Sequence, residues 1–147
     1  MPNRRVHITA LAIAAIALSL GGIGLATASS RTKHVVATRF AASLERKVLT
    51  TTKGLSLYSL SIERHGKLAC TQTCLYTWHP LLIGAGAKPL GPVKLGTIKR
   101  SDGGGTQVTY HGMPLYTFSG DSAPGQTNGN GVTDVGHWHV ATVPKSG

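Results

Sequence analysis

An internal repeat constrains this chain more than any other feature of its sequence. The residues KGLSLYSLSIE at 53–63 recur 58 positions later as HGMPLYTFSGD at 111–121, with Gly, Leu, Tyr and Ser kept in place. A second echo follows, since TWH at 77–79 recurs as HWH at 137–139. A repeat unit this short usually cannot bury its apolar face alone. We therefore predict two diverged copies of one small unit that share a core.

The first 28 residues have the pattern of a secretory signal peptide. A basic start precedes an apolar stretch at 8–25, and Ala26-Thr27-Ala28 places small residues where a signal peptidase cuts. An uncleaved N-terminal anchor helix is the alternative, because this stretch is at the lower limit of what spans a bilayer. Export is predicted either way, to a secreted or envelope-associated location. No cysteine lies near the boundary, so we do not expect a lipoprotein.

The chain is strongly basic. Its net charge of +10 falls to +8 when Arg4 and Arg5 leave with the leader. Much of the excess lies early, in residues 29–45 and just beyond. We interpret 29–45 as a flexible basic tether that is attracted to anionic lipid or wall polymer. No nucleic-acid partner is expected for an exported chain.

Glycine and proline divide the remaining sequence into segments. We assign the first repeat to 46–89, a Gly/Pro-rich connector to 90–105, the second repeat to 106–143 and a tail to 144–147. In each repeat a glycine between two β-rich runs predicts a hairpin, with turns at 53–54 and 111–112. Val93 to Arg100 is the best candidate for a further strand, and Thr38 to Lys47 is the stretch with helical character. The predicted fold is a small, mostly β single domain of two related hairpin repeats.

Two cysteines, Cys70 and Cys74, lie in the exported part. In an oxidising compartment a pair so close in sequence is expected to form one small disulfide ring. Thioredoxin-type redox chemistry needs two intervening residues rather than three, and covalent haem attachment needs a histidine where Leu75 stands. We therefore predict a structural bridge.

The repeated motif resembles a family of secreted bacterial repeats described by a Tyr-x4-Asp pattern and often called predicted lipoproteins. The second copy carries Tyr116, Phe118 and Asp121, and the degenerate first copy carries Tyr58, Leu60 and Glu63. The resemblance extends over roughly residues 46 to 142, through the cysteine pair, the WHPL run at 78–81 and Trp138.

This chain departs from the family pattern in lacking a lipobox cysteine, in having Glu63 instead of Asp, and in having His79 instead of the first Pro of a Trp-Pro-Pro run. The resemblance implies a secreted location and a shared fold. It implies no biochemical activity, since the family has none established.

The two motif acids have two interpretations. At the end of a strand, Asp121 is expected to accept backbone N–H bonds and close the following turn. The alternative is that Glu63 and Asp121 face one another across a pseudo-two-fold axis as a carboxylate pair for glycoside hydrolysis. That alternative needs a cleft and an acid of raised pKa, so we favour the structural role.

Histidine and methionine side chains offer a second candidate chemistry. Imidazole and thioether groups are ligands for copper or zinc, and the same groups serve as axial ligands of haem. The candidate ligands are His79, His111, Met113, His137 and His139. In an extended strand the last two point the same way, but no third ligand lies at a recognisable spacing, so solvent-facing histidines are the favoured interpretation.

No catalytic signature is present, and an enzyme is the third choice. The sequence favours an exported, non-enzymatic binding or structural module of the envelope whose partner is an unidentified envelope component. No cofactor is required by this interpretation. The alternative is a protein that binds copper, zinc or haem in envelope redox or metal handling.

Overall fold

The computed structural model describes residues 31–144, and this part of the chain is mostly β. The strands are β1 Thr32–His34, β2 Val36–Ala41, β3 Arg46–Thr51, β4 Tyr58–Leu60, β5 Trp78–Pro80, β6 Leu82–Ile83, β7 Lys88–Leu90, β8 Leu95–Lys99, β9 Thr106–Tyr110, β10 Met113–Pro114, β11 Tyr116–Phe118 and β12 Trp138–Val140. Short 3₁₀ turns span Ala42–Leu44, Arg64–Gly66 and Gln72–Tyr76. The predicted fold class, a small and mostly β domain, is confirmed.

The predicted leader or anchor at 1–28, and residues 145–147 of the predicted tail, lie outside the described residues. Within 31–144, no helix has both the length and the apolar character needed to cross a bilayer.

A four-stranded antiparallel sheet joins the two repeats, in the order β12-β4-β11-β5. Its two central strands carry the repeated motif, and Tyr58 of β4 pairs directly with Tyr116 of β11. Since these tyrosines are equivalent in the repeat, a pseudo-two-fold axis passes between them. The sheet is therefore built symmetrically from both repeats.

The outer strands of this sheet are exchanged between the repeats. Strand β5 of the first repeat pairs with β11 of the second, with Trp78 opposite Phe118. Strand β12 of the second repeat pairs with β4 of the first, with Trp138 opposite Leu60. Each repeat therefore supplies an edge strand to the motif strand of the other.

A closed cycle of backbone hydrogen bonds appears twice beside this sheet. Leu57 N–H donates to Leu49 O, Leu49 N–H to Ala141 O, and Ala141 N–H to Leu57 O, over 2.7–2.9 Å. The same cycle, over 2.9–3.0 Å, links Leu115, Val108 and Leu81. Each cycle contains residues of both repeats, so the backbone itself obeys the pseudo-two-fold symmetry.

Both predicted hairpin turns are present. In the second repeat β9 and β10 pair across a two-residue loop, in which His111 and Gly112 have φ of 50° and 75°. Two positive φ values are what a type I′ turn requires. In the first repeat the chain turns back after β3 at Gly54, where φ is 90°, and Leu55 accepts a bond from Thr51 N–H.

The prediction of a flexible tether at 29–45 is wrong for its described residues. They form β1, which pairs in parallel with β7, and β2, which pairs with β3 over six positions. The 3₁₀ turn that follows is all that remains of the predicted helix at 38–47. The physical reason is burial of Val35, Val36 and Ala41, whose apolar area outweighs the basic composition.

The repeat boundaries also differ from those predicted. The connector assigned to 90–105 contains β8, which pairs with β9 over five positions and confirms the further strand expected near 93–100. Strands β2 and β8 occupy equivalent places, since Thr38 pairs with Leu49 as Thr97 pairs with Val108. The repeated unit therefore includes β2 in the first copy and β8 in the second, which both lie before the assigned starts at 46 and 106.

The core has two parts, one on each side of the central strands. One part is aliphatic: Val35, Val36, Leu49, Leu57, Ile83, Val108, Tyr110, Leu115 and Ala141. The other holds the large rings: Ala41, Val48, Tyr58, Leu60, Cys70, Trp78, Tyr116, Trp138 and Val140, with Phe118 packed against them. The shared aromatic interior expected of two diverged copies is therefore present.

Candidate functional site

The motif tyrosines and acids form crossed pairs between the repeats. Tyr58 O–H of the first repeat donates to Asp121 Oδ2 of the second over 2.5 Å. Tyr116 O–H of the second repeat donates to Glu63 Oε1 of the first over 3.1 Å. The Tyr-x4-acid spacing thus positions each acid for the other repeat's tyrosine, because the two motif strands run antiparallel.

Each acid also closes the loop that follows its own strand. Glu63 Oε1 accepts N–H bonds from Ala69 and Cys70, both over 2.7 Å. Asp121 Oδ1 accepts the N–H of Asn128 over 3.0 Å. Cys70 and Asn128 both lie seven residues after the acid of their repeat. Turn closure by the acid is thus a shared property of both repeats.

These contacts leave the acids unsuited to hydrolysis. Glu63 is 0% exposed and Asp121 is 6% exposed, and neither lines any of the three cavities described below. A glycosidase needs both carboxyl groups beside a cleft that admits the sugar. The carboxylate-pair alternative therefore has no support from this geometry.

A buried arginine extends the network around Glu63. The Arg100 side chain is 0% exposed and donates to Asp102 Oδ2 over 2.6 Å, to Gln107 Oε1 over 2.5 Å and to Cys70 O over 2.8 Å. A weaker contact of 3.4 Å reaches the hydroxyl of Tyr116. Arg100 thus ties strand β8 to the disulfide segment and to the motif pair.

The charges of this network stabilise each other. Burial alone would lower the pKa of Arg100, but its hydrogen bonds and charge contacts with Asp102 and Tyr116 raise it above the usual value. The hydrogen bond from Arg100 lowers the pKa of Asp102. Both groups therefore remain charged in the folded protein, as a buried cation with a satisfied partner must.

The motif tyrosines are held in their neutral form. Burial, followed by the hydrogen bond to Asp121, raises the pKa of Tyr58. Burial, followed by the negative charge of Glu63, raises the pKa of Tyr116. Each hydroxyl therefore stays a donor to its carboxylate well into the alkaline range.

We expect the raised pKa values of Tyr58 and Tyr116 to cause a loss of stability at high pH. The folded pKa of each tyrosine exceeds the usual phenol value of about 10, so their contribution to stability is complete below that pH and is lost progressively as the pH rises from there through the folded pKa. The Tyr58→Phe variant should show a weaker decline in the free energy of unfolding. Denaturant titrations from pH ~8 to ~11 measure this, with Tyr76→Phe as an exposed control. Equal pH slopes for Tyr58→Phe and wild type would contradict it.

The two equivalent tryptophans meet at the pseudo-two-fold axis. The rings of Trp78 and Trp138 stack with centroids 3.7 Å apart and planes 9° from parallel. One carboxylate bridges them, because Asp134 Oδ2 accepts from Trp78 Nε1 over 2.9 Å and Asp134 Oδ1 from Trp138 Nε1 over 2.7 Å. A single loop residue of the second repeat thus holds both rings.

The predicted disulfide is present between Cys70 and Cys74. Cys70 is buried in the aromatic part of the core, with Cys74 packed against it. The N–H of Cys70 bonds Glu63 and its carbonyl accepts from Arg100. The disulfide therefore fixes the backbone at Cys70, whose N–H and carbonyl both take part in the buried network.

The five candidate metal ligands do not come together. His111, Met113 and His139 line one cavity of about 330 Å³, along with Ser59, Ser61 and Arg64. His79 and His137 do not line it. His79 is exposed on edge strand β5, and His137 Nδ1 contacts Thr133 Oγ1 at 3.0 Å. Within residues 31–144 no group of three or more His, Cys, Asp or Glu side chains could hold a metal ion.

Two functional-looking residues escaped the sequence interpretation. The sequence predicts no role for Arg100 or Arg64, although Arg100 is buried and Arg64 lines a cavity. Comparison of the strand register in the two repeats marks Arg100 as unusual. By strand pairing its counterpart in the first repeat is Ala41, so an arginine at a buried strand position marks a difference between the repeats.

The comparisons with known proteins agree with this description. A family model described as a secreted repeat of unknown function matches residues 96–142, which run from β8 to just beyond β12. No curated protein and no solved structure gives a significant match. The secreted character of the family indicates an extracellular or envelope location. The resemblance to the secreted repeat family is thus confirmed, over a span that corresponds to the second repeat.

Proposed function

We propose that the protein is an exported, non-enzymatic binding module of the cell envelope that recognises an anionic partner. The predicted leader at 1–28 would direct its export. The observation that carries the proposal is the unequal placement of acidic and basic side chains. The partner is an anionic component of the envelope, held by charge.

The acidic side chains are largely engaged within the protein. Glu63 and Asp121 are buried, Asp102 is paired with Arg100, and Asp134 bonds both tryptophans. Of the five acids in the chain, Glu45, Asp102 and Asp134 are exposed, and the last two are engaged with Arg100 and with the two tryptophans. Negative charge is therefore scarce on the surface.

The basic side chains have the opposite placement. The early cations are all exposed on or beside β1, β2 and β3, at Arg31, Lys33, Arg39, Arg46, Lys47 and Lys53. A mainly positive surface attracts polyanions over a distance of roughly 8 Å at physiological salt. Because these cations lie on paired strands, the attraction comes from a fixed surface and not from a flexible tether.

The non-enzymatic part of the proposal is supported by how the reactive side chains are used. The cysteines form a disulfide, and the motif acids and tyrosines hydrogen-bond one another inside the fold. These side chains are thus committed to structure.

Retention on an envelope extract tests the proposal. The purified protein, immobilised without its leader, should retain anionic envelope material at low salt and release it at high salt. Neutral vesicles and an uncharged polysaccharide serve as controls. Failure to retain any envelope material at low salt, or retention that high salt leaves unchanged, would contradict the proposal.

A second candidate function is favoured by one observation, the convergence of His111, Met113 and His139 on one cavity. Two imidazoles and a thioether suit copper, and imidazoles suit zinc or haem iron. The guanidinium of Arg64 in the same cavity opposes a cation. Stoichiometric metal in the purified protein that is lost in a His111→Ala, His139→Ala variant would establish this function in place of the first.

A further inference from the structure

Three surface cavities adjoin one another, because the first shares lining residues with each of the other two. The first, already described, shares His139, Val140 and Thr142 with a cavity of about 330 Å³ that reaches Leu44 and Arg46. At its other side it shares Tyr110, His111 and Pro144 with a cavity of about 570 Å³ that reaches Lys94. We call these three joined cavities the groove. It runs past the β9–β10 turn and along the end of β12.

The groove carries one permanent cation in each cavity. Arg46, Arg64 and Lys94 occupy the third, first and second cavities in turn, and all three side chains are exposed. The imidazoles of His139 and His111 stand at the two junctions. Among the described residues that line the groove, none is acidic. A ligand in it therefore meets positive charge at three successive places and no opposing carboxylate.

The walls of the groove are both hydroxylated and apolar. The partly exposed Ser61 and Thr142 offer hydroxyl donors and acceptors, while Met113 and Pro144 offer carbon surface. Hydroxyl groups of a ligand can bond the former, and its carbon backbone can lie on the latter. A single small anion would use one cation and leave most of this surface empty.

We propose that the groove binds a linear polyanion, an envelope polymer with oxyanions repeated along a hydroxylated carbon backbone. The proposal rests on the proposed function and names the chemistry and the place of its partner. Phosphate and carboxylate both pair with arginine in a bidentate manner. The shared chemistry is thus a repeated oxyanion, whether it comes from a polyol phosphate or from an acidic polysaccharide.

Titration calorimetry with two probes tests the groove. The probes are a short poly(glycerol phosphate) and a polygalacturonate of matched length, titrated into the protein without its leader. The groove variant carries Arg46→Gln, Arg64→Gln and Lys94→Gln. The control variant removes the same charge elsewhere through Lys67→Gln, Lys88→Gln and Lys99→Gln, at exposed positions that neither line the groove nor belong to the early cations on and beside β1, β2 and β3. Thermal unfolding of both variants checks that they fold.

Binding should weaken about tenfold in the groove variant and less than about twofold in the control. The slope of log affinity against log salt should fall in magnitude by about 2 in the groove variant, since each neutralised charge on a linear polyanion releases ~0.7 counterion. Tight binding of either probe supports the groove as the binding site. The probe that binds with the higher affinity identifies the oxyanion as phosphate or carboxylate.

Three results would contradict the proposal that the groove binds a linear polyanion. Equal weakening in both triple variants would mean that overall charge and no particular site binds the polymer, and the proposed function would survive. Glycerol phosphate binding as tightly as its polymer would indicate a single-anion site. Binding of neither probe, with retention of envelope material intact, would place the partner elsewhere on the surface. Loss of that retention as well would remove the proposed function itself.

Discussion

Replacing Arg100 with Met is expected to lower the free energy of unfolding by about 3–5 kcal/mol. The guanidinium is fully buried, and its loss leaves the carbonyl of Cys70 and the Oε1 of Gln107 without their donor. Removing one member of a buried charged network exposes the others to the full cost of desolvation. A small domain has only about 5–15 kcal/mol in total, so this variant should be close to the limit of folding.

Chemical denaturation followed by tryptophan fluorescence measures this effect. Lys99→Met is the matched control, since Lys99 is the last residue of β8, directly precedes Arg100 and is exposed. The control should change the free energy of unfolding by less than about 0.5 kcal/mol. A change of under about 1 kcal/mol for Arg100→Met would show that the buried network does not stabilise the fold.

Replacing Trp138 with Ala is expected to cost about 3–5 kcal/mol. The ring is fully buried, stacks on Trp78, contacts the edge of Tyr116 and donates to Asp134. Its removal leaves a cavity at the pseudo-two-fold axis, and side chains of both repeats would have to shift together to fill it. Trp78→Ala should have a comparable effect, because the two rings are equivalent.

The coupling between these tryptophans is the sharper measurement. A double-mutant cycle should be non-additive by about 0.5–1.5 kcal/mol, the range of aromatic pair energies. Tyr76→Ala is the control, since that ring is 81% exposed and should cost little. Because the double variant could unfold, the single variants are also compared by their denaturant midpoints. Strictly additive effects of the two substitutions would mean that the stacked rings do not stabilise each other.

The repeat and its consequences could be predicted because they depend on local pattern. The Tyr58 and Tyr116 motifs identified the central strands, and glycine at a turn identified each hairpin. The cysteine spacing and the exported character identified the disulfide. These features are set by residues near one another in the chain.

The rest depends on contacts between distant residues. Nothing in the local sequence says that β12 pairs with β4, or that Arg100 enters the core beside Glu63. The strands at 32–41 were masked by their basic residues, although Val35, Val36 and Ala41 mark their buried positions. Pairing partners are chosen by the whole fold, and a basic strand with one buried side has the composition of a tether.

The groove was likewise out of reach of the sequence. Its three cations are widely separated in the chain, and only the fold brings them to adjoining cavities. Three of the metal candidates, His111, Met113 and His139, line one cavity together with Arg64, and the sequence spacing does not reveal these cationic surroundings.

The exchange of edge strands has a consequence for chains that hold one copy of this repeat. In such a chain the motif strand would lack its edge partner, and the tryptophan-bearing strand would have no motif strand to pair with. Association with a second molecule would complete the sheet. The present protein resembles a homodimer whose subunits have been fused in tandem. Fusion replaces a concentration-dependent encounter with a high effective concentration set by the linking segment, and it frees the two halves to diverge, as Arg100 and Ala41 have done.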